Sequence, residues 1–62
     1  MALTETQAEA LTLIYMQEFD AIVPSLRGAI DELVSLGLAA GPAEGWTVTV
    51  EGRRLAQRLA DE

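Results

Sequence analysis

The chain has 62 residues and carries a formal charge of −6, from ten acidic residues against four arginines and no lysine. Cysteine and histidine are both absent, which removes disulfides, thiolate nucleophiles, the usual zinc ligands and the commonest general base. A chain this short forms one domain, 1–62, and buries only about 60% of the surface its unfolded form exposes, so a large catalytic pocket is not expected.

Half the residues are hydrophobic, but ten of them are alanine and only Tyr15, Phe19 and Trp46 are aromatic, so the core must be thin. Self-association would relieve that shortage. A mean hydropathy of +0.21 nevertheless argues against disorder. Neither a basic n-region nor a long apolar run follows Met1, so a soluble, cytoplasmic protein with no membrane partner is expected. The charge is uneven: residues 1–52 hold eight acids and Arg27, a sum of −7, whereas residues 53–62 hold three arginines and two acids, a sum of +1. Any anion-seeking surface lies in the last ten residues.

In chain order, Leu3-Thr4-Glu5-Thr6-Gln7 reads as a capping box, with Thr4 and Gln7 satisfying each other's backbone N–H groups. Ala8, Leu11, Ile14 and Tyr15 then form one apolar stripe at helical spacing, and the helix is expected over about 4–18. Glu18 would enter the centre of that stripe, so the helix ends or bends near Gln17 to Asp20. Pro24 marks the next boundary because it pushes Val23 out of the α region, and Ser25 is a second N-cap candidate. Leu26, Ala29, Ile30, Leu33 and Val34 predict a helix over about 24–36, closed by Gly37 as a left-handed C′ residue with Leu38 at C″.

From Trp46 to Val50 the period changes to two, with Trp46, Val48 and Val50 alternating against Thr47 and Thr49 as in a half-buried strand. The turn formers Gly41-Pro42-Ala43-Glu44-Gly45 let Leu38-Ala39-Ala40 fold back on it as a hairpin. A last helix, about 50–61, follows from Gly52, Leu55, Ala56 and Leu59, with Thr49 as its cap. The expected fold is mainly α with a small β-hairpin (α+β), in the order helix, helix, hairpin, helix.

These residues resemble a family. A helix ending in Leu36-Gly37-Leu38, a short hairpin and then Val48-Thr49-Val50-Glu51-Gly52-Arg53-Arg54-Leu55 look like the C-terminal half of a MarR- or PadR-type winged helix, in which a wing strand runs into "LT-x-x-G-x-x-L". Leu3 to Leu11 is similar to the "LT-x-x-Q-x-x-x-L" that opens the family's first core helix. The resemblance implies a winged-helix-like scaffold whose second helix is the recognition helix. The family's short intervening helix has only Glu18 to Val23 to form it, so it is truncated or missing. On that alignment the exposed recognition face is Ser25, Arg27, Gly28, Asp31 and Glu32, with Glu32 where relatives often have arginine. One base and two acids suit a major groove poorly. Glu44 at the wing tip would repel phosphate.

Arg27 can contact a phosphate or base edge, or pair with Asp31 one turn on. Arg53, Arg54 and Arg58 form the one basic cluster, able to grip phosphate or a partner's carboxylates, while Arg54 can also pair with Glu51. Trp46 reads as core, and as the only tryptophan it is also the best candidate for an exposed interface anchor. Tyr15, Met16 and Phe19, at the frayed end of the first helix, are candidate dimer contacts. The carboxylate pairs Asp31/Glu32 and Asp61/Glu62 diverge by about 100° on a helix and read as solvated faces. No nucleophile with a base, phosphate loop or metal-ligand spacing is present, so neither enzyme activity, cofactor nor metal is expected. Two functions follow: a small acidic interaction module that binds a basic surface of another protein as an accessory or inhibitory factor, or a dimeric DNA-binding transcriptional regulator using the second helix and the arginines. The charge balance favours the first. A homodimer at micromolar concentration is expected in either case.

Overall fold

The structure, a computed structural model, describes residues 3–41 and 45–61. The fold is mainly helical with one small hairpin: α1 (Glu5–Tyr15), a single 3₁₀ turn (Phe19–Ala21), α2 (Pro24–Ser35), β1 (Ala39–Ala40), β2 (Thr47–Val48) and α3 (Val50–Asp61). The expected order of helix, helix, hairpin and helix is therefore the observed one. Among the described residues no helix is long and apolar enough to cross a membrane.

The capping box is fully formed. Thr4 Oγ1 accepts from the backbone N–H of Gln7, and Gln7 Oε1 accepts from the N–H of Thr4, both at 3.1 Å. At its other end α1 stops a turn earlier than the apolar period suggests. Gln17 takes a left-handed φ of 60°, and the N–H groups of Gln17 and Glu18 return to Ile14 O and Leu13 O at 3.1 and 2.9 Å. This is a Schellman closure made without glycine, and it keeps Glu18 on the surface. Between α1 and α2, within Glu18 to Val23, the chain forms one three-residue 3₁₀ turn, Phe19–Ala21, in place of a longer helix.

Pro24 occupies the first position of α2, where its missing N–H costs nothing, and the N-cap is Val23 in extended conformation. Ser25 therefore lies two residues past the cap position, and no side chain caps this helix. The C-terminus matches expectation: Gly37 has φ 78°, its N–H reaches Val34 O at 3.1 Å and the N–H of Leu38 reaches Leu33 O at 2.9 Å.

The hairpin pairs Ala39 with Val48 and Ala40 with Thr47 in antiparallel register. It is shorter than the alternation from Trp46 to Val50 implies. Val50 opens α3 and is 69% exposed, because the Thr49 cap turns the chain into the helix before a third inward position is reached. Pro42, Ala43 and Glu44, the expected wing tip, lie outside the described residues, as does Glu62.

One hydrophobic cluster ties these elements together. Leu11 and Ile14 of α1 and Ile30 and Leu33 of α2 are its fully buried large side chains. Leu38, Ala39, Trp46 and Ala56 close it from the hairpin and α3. Burying each such leucine or isoleucine contributes about 1.5–3 kcal/mol, which lets elements of two strand residues and short helices hold each other in place.

Candidate interaction surface

The outer face of α2 follows from which of its residues are buried. Leu26, Ala29, Ile30 and Leu33 point inward, so Ser25, Arg27, Gly28, Asp31, Glu32 and Ser35 are exposed. Although Asp31 and Glu32 point about 100° apart around the helix, both edge one shallow depression of about 340 Å³ that also takes in Gln7, Ser35 and Leu36. Leu36 is 45% exposed there and gives the depression an apolar side. No third carboxylate joins the pair among the described residues. It is an acidic rim beside an apolar patch.

Arg27 does not form the expected pair with Asp31. Among the described residues the one ion pair is Arg54 with Glu51, at 4.0 Å, and both side chains are more than 70% exposed. At that distance and exposure the pair is worth a few tenths of a kcal/mol. Arg27 instead borders a depression of about 400 Å³ with Phe19, Asp20, Ile22 and Trp46.

Trp46 is 9% exposed, which corrects the reading of an exposed anchor: its ring belongs to the core and meets Phe19 with centroids 6.4 Å apart, tilted by 56°. The 3₁₀ turn carries Phe19 to that contact. The proposed dimer patch is reduced in the same way. Tyr15 and Phe19 are half-buried against the core, Tyr15 OH accepts from Gln57 Nε2 at 3.4 Å, and of the three only Met16 is open, at 57% exposure.

The arginine cluster divides. Arg54 and Arg58, one turn apart, share a depression of about 280 Å³ with Leu38, Glu51 and Leu55. Arg53 is not among its lining residues, since it lies about 140° around the helix from Arg58. The four cations thus occupy three separate places.

Sequence reasoning passed over Leu36, Gln7 and Leu38. Leu36 carried a signal: it is an apolar residue off the inward stripe of α2, beside the Gly37 stop. Leu38 and Gln7 had none, because each was already assigned a structural role in a helix cap. The chain matches no protein-family model, no curated protein and no solved structure.

Proposed function

We propose that the chain is a small, non-enzymatic interaction module on a winged-helix-like scaffold, acting in the cytoplasm as an accessory or inhibitory factor that binds a basic surface of another protein. The observation that carries this reading is the outer face of α2, where Asp31 and Glu32 flank the exposed Leu36 beside one apolar depression. Carboxylates at the edge of an apolar patch are the arrangement by which a protein surface attracts and orients a cationic partner while still offering area to bury. The scaffold reading is supported by Thr49 and Gly52, which fill the two small-residue slots of the "LT-x-x-G" pattern with definite roles: Thr49 Oγ1 caps the N–H of Gly52 at 3.2 Å.

DNA binding is the second reading, and the shared depression of Arg54 and Arg58 favours it. Against it stand the net charge and the separation of Arg27 and Arg53 from that pair, since phosphate binding draws on cations that track one backbone. The two readings separate in one experiment. Immobilised chain is used to capture proteins from a lysate, in parallel with a mobility shift on mixed duplex DNA at low salt. Basic proteins retained by the wild type, lost with Asp31→Lys/Glu32→Lys and kept with Arg54→Ala/Arg58→Ala support the proposal. A DNA shift abolished by Arg54→Ala/Arg58→Ala overturns it.

A further inference from the structure

We infer that the depression between the 3₁₀ turn and the first turns of α2 is a binding site for a free α-amino acid with an aromatic or branched apolar side chain. It shares no lining residue with the acidic depression on the outer face of α2, so it stands independently of the partner reading.

Five residues line this depression of about 400 Å³: Phe19, Asp20 and Ile22 between α1 and α2, Arg27 on α2, and Trp46 just before β2. Three of them are apolar and fixed. Trp46 belongs to the core, and Phe19 and Ile22 pack against it. The Phe19 and Trp46 rings, tilted by 56° with centroids 6.4 Å apart, form a corner that needs no ordering to receive an apolar group. The other two residues are exposed and of opposite charge. Asp20 and Arg27 edge the same depression, yet neither forms an ion pair with the other or with any other described residue. A volume near the low end of the roughly 300–1,000 Å³ seen for small-molecule sites suits a molecule of amino-acid size.

Each part of an amino acid finds its counterpart here. The side chain packs on Phe19, Ile22 and Trp46. The carboxylate accepts two parallel N–H bonds from the Arg27 guanidinium, the geometry that arginine favours, and the ammonium group donates to the Asp20 carboxylate. Charge balance selects this class among small molecules. A chain of net charge −6 repels an anion such as a nucleotide. A carboxylic acid without an amine would also leave Asp20 facing it unanswered, and an amine without a carboxylate would face Arg27. A zwitterion is neutral and answers both groups at once. A polypeptide carries its terminal ammonium and carboxylate at opposite ends, whereas a free α-amino acid holds both on one carbon, beside its side chain.

Titration of the purified full chain with L-phenylalanine and L-leucine tests this. The readouts are the fluorescence of Trp46, the only tryptophan and a lining residue, and its indole N–H resonance in isotope-labelled chain. Half-saturation is expected on the order of 1 mM, within reach of a molecule of so few atoms on an open site. Hydrocinnamate, which is phenylalanine without the ammonium group, and phenethylamine, which lacks the carboxylate, should each bind at least about tenfold more weakly. Two variants then change that order. Asp20→Asn should weaken phenylalanine binding and strengthen that of hydrocinnamate, and Arg27→Gln should weaken phenylalanine binding and strengthen that of phenethylamine. Both positions are exposed, so folding is retained and is checked by circular dichroism. The absence of a saturable response to either amino acid up to about 20 mM overturns the inference. So does equal binding of phenylalanine, hydrocinnamate and phenethylamine, which would mean that only the apolar corner is recognised, or an order of binding that both variants leave unchanged.

Discussion

Gly52 faces the backbone of Leu38 at a separation that leaves no room for a side chain: a β-carbon at position 52 would overlap the Leu38 carbonyl oxygen and lie 2.9 Å from its carbon. The first turn of α3 is thereby pressed against the strand that leads out of α2. The same carbonyl accepts the N–H of Thr49, so one backbone group of Leu38 fixes both the end of the hairpin and the start of the helix. The positions of Arg54 and Arg58 relative to Leu36 depend on that contact.

Gly52→Ala is expected to destabilise the protein by at least about 2 kcal/mol, because the obstruction is backbone and cannot rotate away, and this outweighs the roughly 1 kcal/mol that alanine gains over glycine inside a helix. Gly28 is the control. It lies in α2, on the solvent side, and a β-carbon there would meet nothing within 4 Å, so Gly28→Ala should stabilise by about 0.5–1 kcal/mol. Urea unfolding followed by the fluorescence of Trp46, the only tryptophan and a core residue, reads both. Equal effects at the two glycines would contradict the packing argument.

The features legible in the sequence are those whose physics is local. The Thr4–Gln7 box, the Gly37 closure and the Thr49 cap each depend on groups within a few residues, so spacing alone located them. Gly52 is legible as a member of the inward stripe and as the glycine of the "LT-x-x-G" pattern; its need for close approach comes from Leu38, fourteen residues earlier. Trp46 and Phe19 were placed on separate elements with no sign that a 3₁₀ turn would join them. The arginines looked like one cluster because they are near in sequence, whereas the helix sends Arg53 away from Arg54 and Arg58. The acidic depression was missed because adjacent carboxylates diverge on their own helix, and only the neighbouring Gln7 of α1 and Leu36 draw one rim around both.

Thr49 makes two bonds with one hydroxyl, accepting from Gly52 N–H and donating to Gly37 O. Thr49→Ala removes the cap of α3 and its tie to α2, and should cost about 1–2 kcal/mol. Thr49→Ser keeps the hydroxyl and should recover most of that loss. If serine were as damaging as alanine, the methyl group rather than the bonds would be responsible.

Gln17 holds a left-handed conformation that costs an L-residue about 1 kcal/mol or more relative to its right-handed one. Glycine adopts it freely, and the Gln17 side chain is exposed, with no hydrogen bond among the described residues to lose. Gln17→Gly should therefore raise stability by about 0.5–1 kcal/mol, where most glycine substitutions lower it. Thermal unfolding showing a lower midpoint would mean that α1 does not end in this closure.

Association kinetics distinguish the roles of the two charged faces. With a lysine-rich peptide as probe, Asp31→Lys/Glu32→Lys should lower the association rate about tenfold at low salt, because it reverses the local field at the face the peptide approaches. Raising ionic strength should erase most of the difference, since at 0.1 M charges are screened beyond about 10 Å. Arg54→Ala/Arg58→Ala changes the net charge from −6 to −8 and leaves the acidic face intact, so association should be unchanged or faster. Duplex DNA as probe gives the opposite pattern if it binds at all: loss of the two arginines would reduce the salt dependence of affinity by about 0.9 per phosphate contact on a log-log plot, and the lysine variant would bind more tightly. Stopped-flow rates for the three proteins against both probes therefore assign the working surface, and peptide association insensitive to Asp31 and Glu32 would remove the outer face of α2 from that role.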